Sequence, residues 1–423
     1  MHHLEASLPV KDGRGGPRLV LGDIFRVHGE AHRKSHALSE PQRKAMRAVE
    51  ACRTPVLGGR VEVCDRCAHR EVFYGSCRNR HCPTCQSLSQ ARWIEGRMER
   101  LLPTDYFHVV FTVPDNLLNG LILRNRELFF DLLFQAGSQT LLELGADPKR
   151  LGAQLGATCV LHTWTRDLRF HAHLHCIVTG GGLHADADRW VRPRSQDFLF
   201  PKDVLSALFS KKLLALLAEA KKDGELAFSG SCAELADPSA FARWKDRLYK
   251  TKWVAYCKKP FAGPEQVFRY LGRYTHRVGI SNQRLLQLSD GAVRFRTKGE
   301  QTATLTPDEF IHRWLQHVLP DRFVKIRHYG LMASSNATTK LEVARRLLEA
   351  EQPELPLAVA TYAGLLLAAL AGLPGPRVPL EGWRARLQRL TGVDSTRCPV
   401  CRIGTMTISA LPRGRRTQPD DTS

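Results

Sequence analysis

The 423-residue sequence predicts an α+β fold with a ferredoxin-like core, an antiparallel sheet that carries helices on one face. Between residues 104 and 300 the strand and helix patterns follow the order strand, helix, strand, strand, helix, strand. Six of the twelve cysteines fall between Cys52 and Cys85 and indicate a small zinc-ribbon module before the core. Amphipathic patterns after residue 305 predict a mainly helical C-terminal region.

The N-terminal part of the pattern is helical. Apolar side chains at helical spacing occur over residues 18–51, and we assign 1–51 to a helical segment and 52–90 to the zinc-binding domain. A charged helix over 87–102 leads into the β-branched and aromatic run 106–113, which ends at a proline. We predict that this run is the first strand of the core domain, residues 104–300.

The remaining elements of the core domain follow from the same periodicities. We predict, in chain order, a helix over 116–144, strands over 158–164 and 172–179, a glycine turn at 180–182, a polar and helical insertion at about 184–250, a helix over 265–276, and strands over 279–288 and 292–297 joined by a turn at 289–291. Residues 305–423 then form the helical C-terminal region, which contains a CxxC pair and ends in a disordered tail.

The charge of the chain predicts a polyanionic partner. Lys and Arg number 62 against 42 Asp and Glu, a formal net charge of +20, and cations placed on phosphates release counterions and strengthen binding. A basic protein with a solvated surface is the alternative. The sequence has no run of 18 apolar residues and no signal-peptide pattern at its start, which predicts a cytoplasmic protein without a membrane segment. Clustered cysteines in that compartment favour metal binding over disulfides.

Two CxxC pairs predict a zinc site. Cys64-x2-Cys67 and Cys82-x2-Cys85 are separated by 14 residues, and each pair can present two thiolates to one tetrahedral Zn²⁺. A full thiolate set leaves no open position for water, so we expect this zinc to fold the module and not to catalyse. Three further groups lie close to these pairs and can replace one ligand or hold a second ion: Cys77, His81 and Cys52. Two arginines between the pairs, Arg78 and Arg80, are predicted to contact phosphate.

Three histidines alternate along a predicted strand. His171, His173 and His175 lie at strand spacing, which sends all three to one face while Leu174 and Cys176 point into the core. Two imidazoles at positions i and i+2 can share one divalent ion and leave positions open for phosphate oxygens and water. The alternative is a structural histidine ladder.

Two tyrosines lie one turn apart on a predicted helix. Tyr270 and Tyr274 are at positions i and i+4, so their side chains share a face, and Arg269, Arg273 and Arg277 form a stripe beside them. Such a pair is often a core contact. Near a metal-polarised phosphodiester, however, a tyrosine hydroxyl can attack phosphorus in line while arginines stabilise the charge on oxygen.

Together these segments resemble the HUH endonucleases, named for two histidines around a hydrophobic residue, and specifically the two-tyrosine rolling-circle insertion-sequence transposases with an N-terminal zinc-binding domain. The resemblance covers most of the chain. It lies in Cys-Arg-Asn-Arg-His-Cys-Pro-x-Cys at 77–85, His-x-His-Leu-His at 171–175, Tyr-Leu-Gly-Arg-Tyr-Thr-His-Arg at 270–277 and Arg-His-Tyr-Gly at 327–330.

The resemblance implies that His173 and His175 hold Mg²⁺ or Mn²⁺, with His171 as a candidate third ligand. It also implies that Tyr270 and Tyr274 form 5′-phosphotyrosine links with single-stranded DNA at the ends of an element and with target DNA, freeing a 3′-OH each time. Arg327 would line the DNA path. The protein would then act in the bacterial cytoplasm, at the nucleoid.

Several alternatives stay open at the level of sequence. A zinc-dependent DNA-binding regulator without catalysis would use the histidines and tyrosines structurally, and an HUH replication initiator or relaxase would use the same chemistry in another setting. Cys398-x2-Cys401 completes a second zinc site with Cys77 or His81, pairs across a homodimer, or is an exposed remnant.

Overall fold

The computed structural model describes residues 19–85, 100–195, 197–258, 279–289, 291–351, 388 and 394–414. These residues belong to two compact units. The first, which we call the ribbon unit, has described residues 51–77, 388 and 394–414. The second, the core unit, has its described residues within 19–50 and 78–351.

Helices and strands are numbered separately in chain order. The described helices are α1 (Leu21–Ser35), α2 (Glu40–Ala51), α3 (Asp115–Arg124), α4 (Arg126–Ala146), α5 (Lys202–Lys222), α6 (Pro238–Lys250), α7 (Pro307–Leu315) and α8 (Lys340–Ala350). The described strands are β1 (Gly59–Cys64), β2 (Arg70–Tyr74), β3 (Tyr106–Thr112), β4 (Gln154–Trp164), β5 (Phe170–Leu183), β6 (Trp190–Val191), β7 (Val254–Lys258), β8 (Leu285–Ser289), β9 (Ala292–Arg296), β10 (Thr302–Leu305), β11 (Ile326–Gly330) and β12 (Met406–Leu411).

The ribbon unit is built on a three-stranded antiparallel sheet in the order β12-β1-β2. Cys64, the last residue of β1, pairs with Met406, the first residue of β12. The strand from the C-terminal region therefore joins the N-terminal hairpin in one sheet. The sequence predicted helices and a tail for this part of the chain and missed β12.

The core unit contains the predicted ferredoxin-like sheet. Its strands follow the order β11-β4-β5-β3-β7 with antiparallel neighbours, and β6 pairs with the end of β5. Helices α4 and α5 cover one face, where Phe111 of β3 meets Phe209 of α5 with ring centroids 4.7 Å apart. The α+β fold class is confirmed, with one strand more at the β4 edge than the ferredoxin-like pattern requires.

The predicted closing strand of this sheet is wrong. Residues 285–289 form β8, which belongs to a separate sheet in the order β10-β9-β8, and β7 closes the core sheet beside β3. The crossover to β7 runs through the region predicted as an insertion, and its helix α5 buries Phe209 and Leu213 completely. The periodicity of apolar residues predicted where strands and helices lie along the chain. It could not predict which strands pair, because pairing depends on which apolar faces pack together.

Two local predictions also need correction. The single helix predicted over 116–144 is interrupted at Asn125, whose side-chain amide donates to the carbonyls of Leu121 and Ala227 at 3.0 and 2.9 Å. The glycines at 180–182 lie inside β5 and not in a turn. They permit close backbone approach, because a Cβ on Gly180 would lie 2.8 Å from the carbonyl oxygen of Asp105.

Helix α7 connects α1 to the smaller sheet of the core unit. Phe25 of α1 meets Trp314 edge-on with ring centroids 5.1 Å apart, and Phe310 of α7 meets Phe295 of β9 at 5.6 Å. Every helix in the described ranges is too short or too polar to cross a membrane. The predicted helix over 265–276, most of the charged helix over 87–102 and most of the tail lie outside the described residues.

Candidate active site and zinc site

The histidines of β5 lie on the sheet face opposite α4 and α5. Leu174 and Cys176 are fully buried in the core beneath the helices, whereas His171, His173 and His175 are half-buried on the other face. The alternation follows from the two-residue period of an extended strand. The division of this strand that we predicted is confirmed.

A third imidazole near this pair comes from His162 of β4. His162 pairs with His173 in the sheet register and is 2% exposed, and its ring centroid lies 4.3 Å from that of His175. One ring nitrogen from each of these three residues lies within 4.8 Å of the others. His171 instead places Nδ1 3.3 Å from Oδ2 of Asp115. The structure thus favours His162 over His171 as the third histidine.

Hydrogen bonds orient two of these rings toward each other. Nδ1 of His173 lies 2.8 Å from the carbonyl oxygen of His171, and Nδ1 of His175 lies 2.8 Å from Nε2 of His108. If each Nδ1–H donates, both Nε2 atoms remain as acceptors. These two Nε2 atoms are 3.1 Å apart, where two lone pairs repel unless a proton or a cation lies between them.

The donor set fits a divalent cation. Ligands at right angles, each about 2.1 Å from an ion, are about 3.0 Å apart, close to the observed separation of the two Nε2 atoms. Burial lowers the pKa of His173 to about 4 and holds the pKa of His162 and His175 well below the usual range. Neutral imidazoles present lone pairs near pH 7, which a metal ligand requires.

The three histidines open into a pocket of about 360 Å³. Trp164 continues its wall and stacks on His162 with ring centroids 4.5 Å apart. Arg166 and Arg284 add positive charge at the same pocket, and no acidic side chain lines it within the described residues. Among the described residues, the pocket is lined by His162, Trp164, Thr165, Arg166, His171, His173, His175, Gly279, Ser281 and Arg284.

Arg327, which we predicted to line the DNA path, lies on the helix-covered side of the sheet. Its guanidinium forms an ion pair with Asp131 of α4 and lies 4.4 Å from the ring centroid of Phe134. This placement argues against the predicted DNA contact. Arg78 is exposed, and Arg80 is half-buried, where burial lowers its pKa against the opposing effect of Asp321. The DNA-binding role of these two arginines stays a prediction.

The tyrosine helix lies outside the described residues. The affected site predictions are Tyr270, Tyr274, Arg269, Arg273 and Arg277. Their roles therefore stay predictions that rest on the sequence.

A four-cysteine cluster forms within the ribbon unit. Cys64 and Cys67 meet Cys398 and Cys401, with ligand atoms all within 4.8 Å of one another. The Sγ atoms of Cys64 and Cys401 are 3.6 Å apart, as are those of Cys67 and Cys398. A disulfide would bring sulfurs to about 2.05 Å, whereas thiolates about 2.3 Å from one tetrahedral ion lie about 3.8 Å apart. The cluster therefore has zinc geometry.

Backbone N–H groups donate hydrogen bonds to the sulfur atoms of the cluster. The N–H groups of Arg66 and Cys67 point at Sγ of Cys64, and that of Gly404 points at Sγ of Cys401 at 3.3 Å. The backbone N–H groups of Gly404 and Ile403 lower the pKa of Cys401 to about 6 and so favour the thiolate. A Cβ on residue 404 would lie 2.3 Å from Sγ of Cys64, so only glycine permits this approach.

The predicted quartet is therefore wrong in its pairing. Cys82 and Cys85 belong to the core unit and are not members of the cluster around Cys64 and Cys67. The prediction that His81 shares a zinc ion with Cys398 and Cys401 is also wrong, because Nε2 of His81 accepts a hydrogen bond from the backbone N–H of Leu319 at 3.1 Å. Cys77 is likewise absent from this cluster, and a homodimer is not needed to complete it.

His162 and His108 were not among the predicted site residues. His162 fell within a predicted strand, but only the register with β5 brings it to His173. His108 fell within the first predicted strand, and the pairing of β3 with β5 places it 2.8 Å from His175. An isolated histidine in a strand carries no functional signal until its neighbouring strand is known.

Comparisons with known proteins cover both units. Residues 24–113 match the family described as "Transposase zinc-binding domain", and residues 156–339 match the family described as "Putative transposase". The chain is 44% identical over 400 residues to "Putative transposase y4qJ" from Sinorhizobium fredii (strain NBRC 101917 / NGR234), an alignment that covers 93% of this chain and 95% of that protein. It is 29% identical over 295 residues to "Transposase for insertion sequence element IS801" from Pseudomonas savastanoi pv. phaseolicola, covering 67% and 68% of the two chains. No solved structure matches.

Proposed function

Because the chain belongs to the two-tyrosine insertion-sequence transposases that carry a zinc-binding domain, we propose that it cuts single-stranded DNA and rejoins it through a 5′-phosphotyrosine intermediate. The observation that carries this proposal is the pair of Nε2 atoms of His173 and His175, 3.1 Å apart beside His162 in a basic pocket. With both Nδ1 atoms as donors, these two Nε2 atoms are acceptors that face each other, which favours a cation between them over a structural histidine ladder.

The pocket residues bind a phosphodiester and a cation. When held by His162, His173 and His175, a divalent cation supplies Lewis-acid polarisation of a phosphate oxygen. All three donors are imidazole nitrogens, a set that favours a transition metal, so of the two cations implied by the sequence we favour Mn²⁺ over Mg²⁺. Arg166 and Arg284 lie in the pocket wall, where their charge favours the anionic backbone of DNA.

Tyr270 or Tyr274 acts as the nucleophile. Its hydroxyl oxygen attacks phosphorus, the bond from phosphorus to the 3′ oxygen breaks, and the proton lost by tyrosine is balanced by the one gained at the 3′-OH. One phosphodiester replaces another, so the link keeps its energy for the reverse attack by a 3′-OH of target DNA. Two tyrosines permit two successive transfers, and no nucleotide cofactor is required.

The zinc site has a structural role. Cys64, Cys67, Cys398 and Cys401 offer four thiolates, which leave no position for a substrate or water. Zinc there ties β1 to the segment before β12 within the ribbon unit. This ligand set explains why a CxxC pair near the end of the sequence accompanies an N-terminal zinc-binding domain.

The test is a cleavage assay. Purified protein is incubated with labelled single-stranded DNA from the element's own ends, with Mn²⁺ or with EDTA, and run on a denaturing gel. We expect a metal-dependent, protease-sensitive adduct on the 5′ side, which His173→Ala abolishes. Among the tyrosine variants, each single substitution should keep an adduct, and the combination of Tyr270→Phe with Tyr274→Phe should abolish it. Tyr249→Phe is the matched control, because Tyr249 is 52% exposed on α6. Binding of cognate ends without any adduct would favour the non-catalytic regulator.

A further inference from the structure

A second group of metal-ligating side chains lies between α1 and α7 of the core unit, outside the histidine pocket. His32 lies in the last turn of α1 and His36 follows the end of that helix. Asp308 and His312 lie four residues apart in α7. Side chains four residues apart share a helix face, so each helix presents two candidate ligands to the other.

The side chains of α1 converge on one carboxylate. Nδ1 of His32 lies 2.6 Å from Oδ1 of Asp308, and Nδ1 of His36 lies 3.5 Å from the same oxygen. The two imidazoles are stacked, with ring centroids 4.1 Å apart and planes inclined by 14°. One ligand atom from each of the three residues lies within 4.8 Å of the others. The ring centroid of His312 lies 5.7 Å from that of His36, but His312 is not a member of this group, and its Nε2 lies 3.0 Å from Nε2 of Gln316.

Hydrogen bonding alone does not account for this group. Asp308 can accept from His32, but Nε2 of His32 is buried without a hydrogen-bond partner among the described residues, and the ring is 1% exposed. The separation of 3.5 Å between His36 and Asp308 is at the limit of a hydrogen bond. In a tetrahedral site with bonds of about 2.0–2.1 Å, donor atoms lie about 3.4 Å apart, close to the 3.5 Å between His36 and Asp308. The 2.6 Å contact between His32 and Asp308 would lengthen by about 0.8 Å when an ion binds.

We propose that His32, His36 and Asp308 form a binding site for a divalent transition metal such as Zn²⁺, with the remaining position left to water. Two imidazoles with one carboxylate is a donor set that zinc accepts. Access is open from the side of α7, because Asp308 is 53% exposed and His36 is 32% exposed.

The ion would pin α1 to α7. These helices already pack through Phe25 and Trp314, both fully buried, but that contact is more than a turn away from His36 along α1. A bound ion links the last turn of α1 to the first turn of α7. The site would thus stabilise the core unit where its N-terminal helix meets the part of the chain after residue 306.

The experiment is a titration of Zn²⁺ into the full chain. The protein carries His173→Ala and His175→Ala, which remove the pocket site, and is purified with its four-cysteine site already loaded with zinc. Isothermal titration calorimetry then counts further sites per chain and their affinity. His36→Ala and Asp308→Asn test the new site, and His28→Ala, one turn earlier on α1 and outside the cluster, is the matched control.

We expect one further site in the parent and in His28→Ala, weakened at least tenfold in His36→Ala and in Asp308→Asn. Zn²⁺ should also raise the Tm of the parent and of His28→Ala, and not that of His36→Ala. Circular dichroism in EDTA checks that the variants fold, and Asp308→Asn decides the question if His36→Ala does not. Absence of a further site, or a site that neither substitution weakens, would overturn the proposal.

Discussion

Replacing His108 with phenylalanine should weaken metal binding in the histidine pocket about 10- to 100-fold. His108 is 3% exposed and its Nε2 lies 2.8 Å from Nδ1 of His175. When Nε2 of His108 accepts from Nδ1–H of His175, Nε2 of His175 keeps its lone pair for the cation. Partners that orient a ligand in this way typically contribute that factor, which corresponds to about 1.4–2.8 kcal/mol. Phenylalanine keeps a flat aromatic ring, slightly larger than imidazole, so the change removes the hydrogen bond while most of the packing is kept.

The assay separates positioning from chemistry. We would measure the cleavage rate as a function of Mn²⁺ concentration for the wild type, His108→Phe and His108→Gln. His108 acts through His175, so we expect the half-saturating Mn²⁺ concentration of His108→Phe to rise 10- to 100-fold while the rate at saturation changes little. His108→Gln keeps a hydrogen-bonding group and should recover part of the loss.

A matched control comes from the same sheet face. His328 of β11 lies 2.9 Å from Oγ1 of Thr158 and is not part of the histidine cluster, so His328→Phe should leave the half-saturating concentration unchanged. If His108→Phe binds Mn²⁺ as tightly as the wild type, the tautomer argument is wrong. If the rate stays low at saturating Mn²⁺, His108 acts in the chemistry and not as a positioning residue.

Three further predictions concern the zinc site, the buried His317 and Arg327. Cys398→Ser should remove one zinc per chain as measured by elemental analysis, whereas Cys232→Ser, at a buried cysteine outside the cluster, should retain it; full zinc content in Cys398→Ser would exclude the assigned ligand set. Burial lowers the pKa of His317 to about 3, so the unfolded state takes up the proton first as pH falls below 6.5. The free energy of unfolding should therefore drop as pH falls from 6.5 to about 3, by up to about 1.4 kcal/mol per pH unit for this group. In urea unfolding measured at several pH values, the free energy of unfolding of His317→Gln should fall less steeply with pH than that of the wild type. Arg327→Ala should lower stability by about 1–2 kcal/mol through its lost ion pair and ring contact, without weakening DNA binding at fixed salt; weaker binding at unchanged stability would restore the predicted DNA contact.

The candidate metal ligands within one strand or one hairpin could be predicted because residue spacing along the chain determines which side chains lie together. The two-residue period of β5 put His173 and His175 on one face whatever that strand paired with, and the CxxC spacing marked Cys64 and Cys67 as metal ligands. The α+β class followed in the same way, because strand and helix periods differ within a short window. For the tyrosine pair, spacing and family resemblance remain the basis of the assignment.

Only the tertiary structure decided which distant segments meet. His162 reaches His173 through the register of β4 with β5, and Cys398 reaches Cys67 from more than 300 residues along the chain. The same holds for β7, which closes the sheet because α5 covers its face, although α5 had been predicted to lie in an insertion. Spacing along the chain reports the geometry of one element, whereas these contacts arise when separate elements bury their apolar faces against each other, and no local pattern encodes that choice.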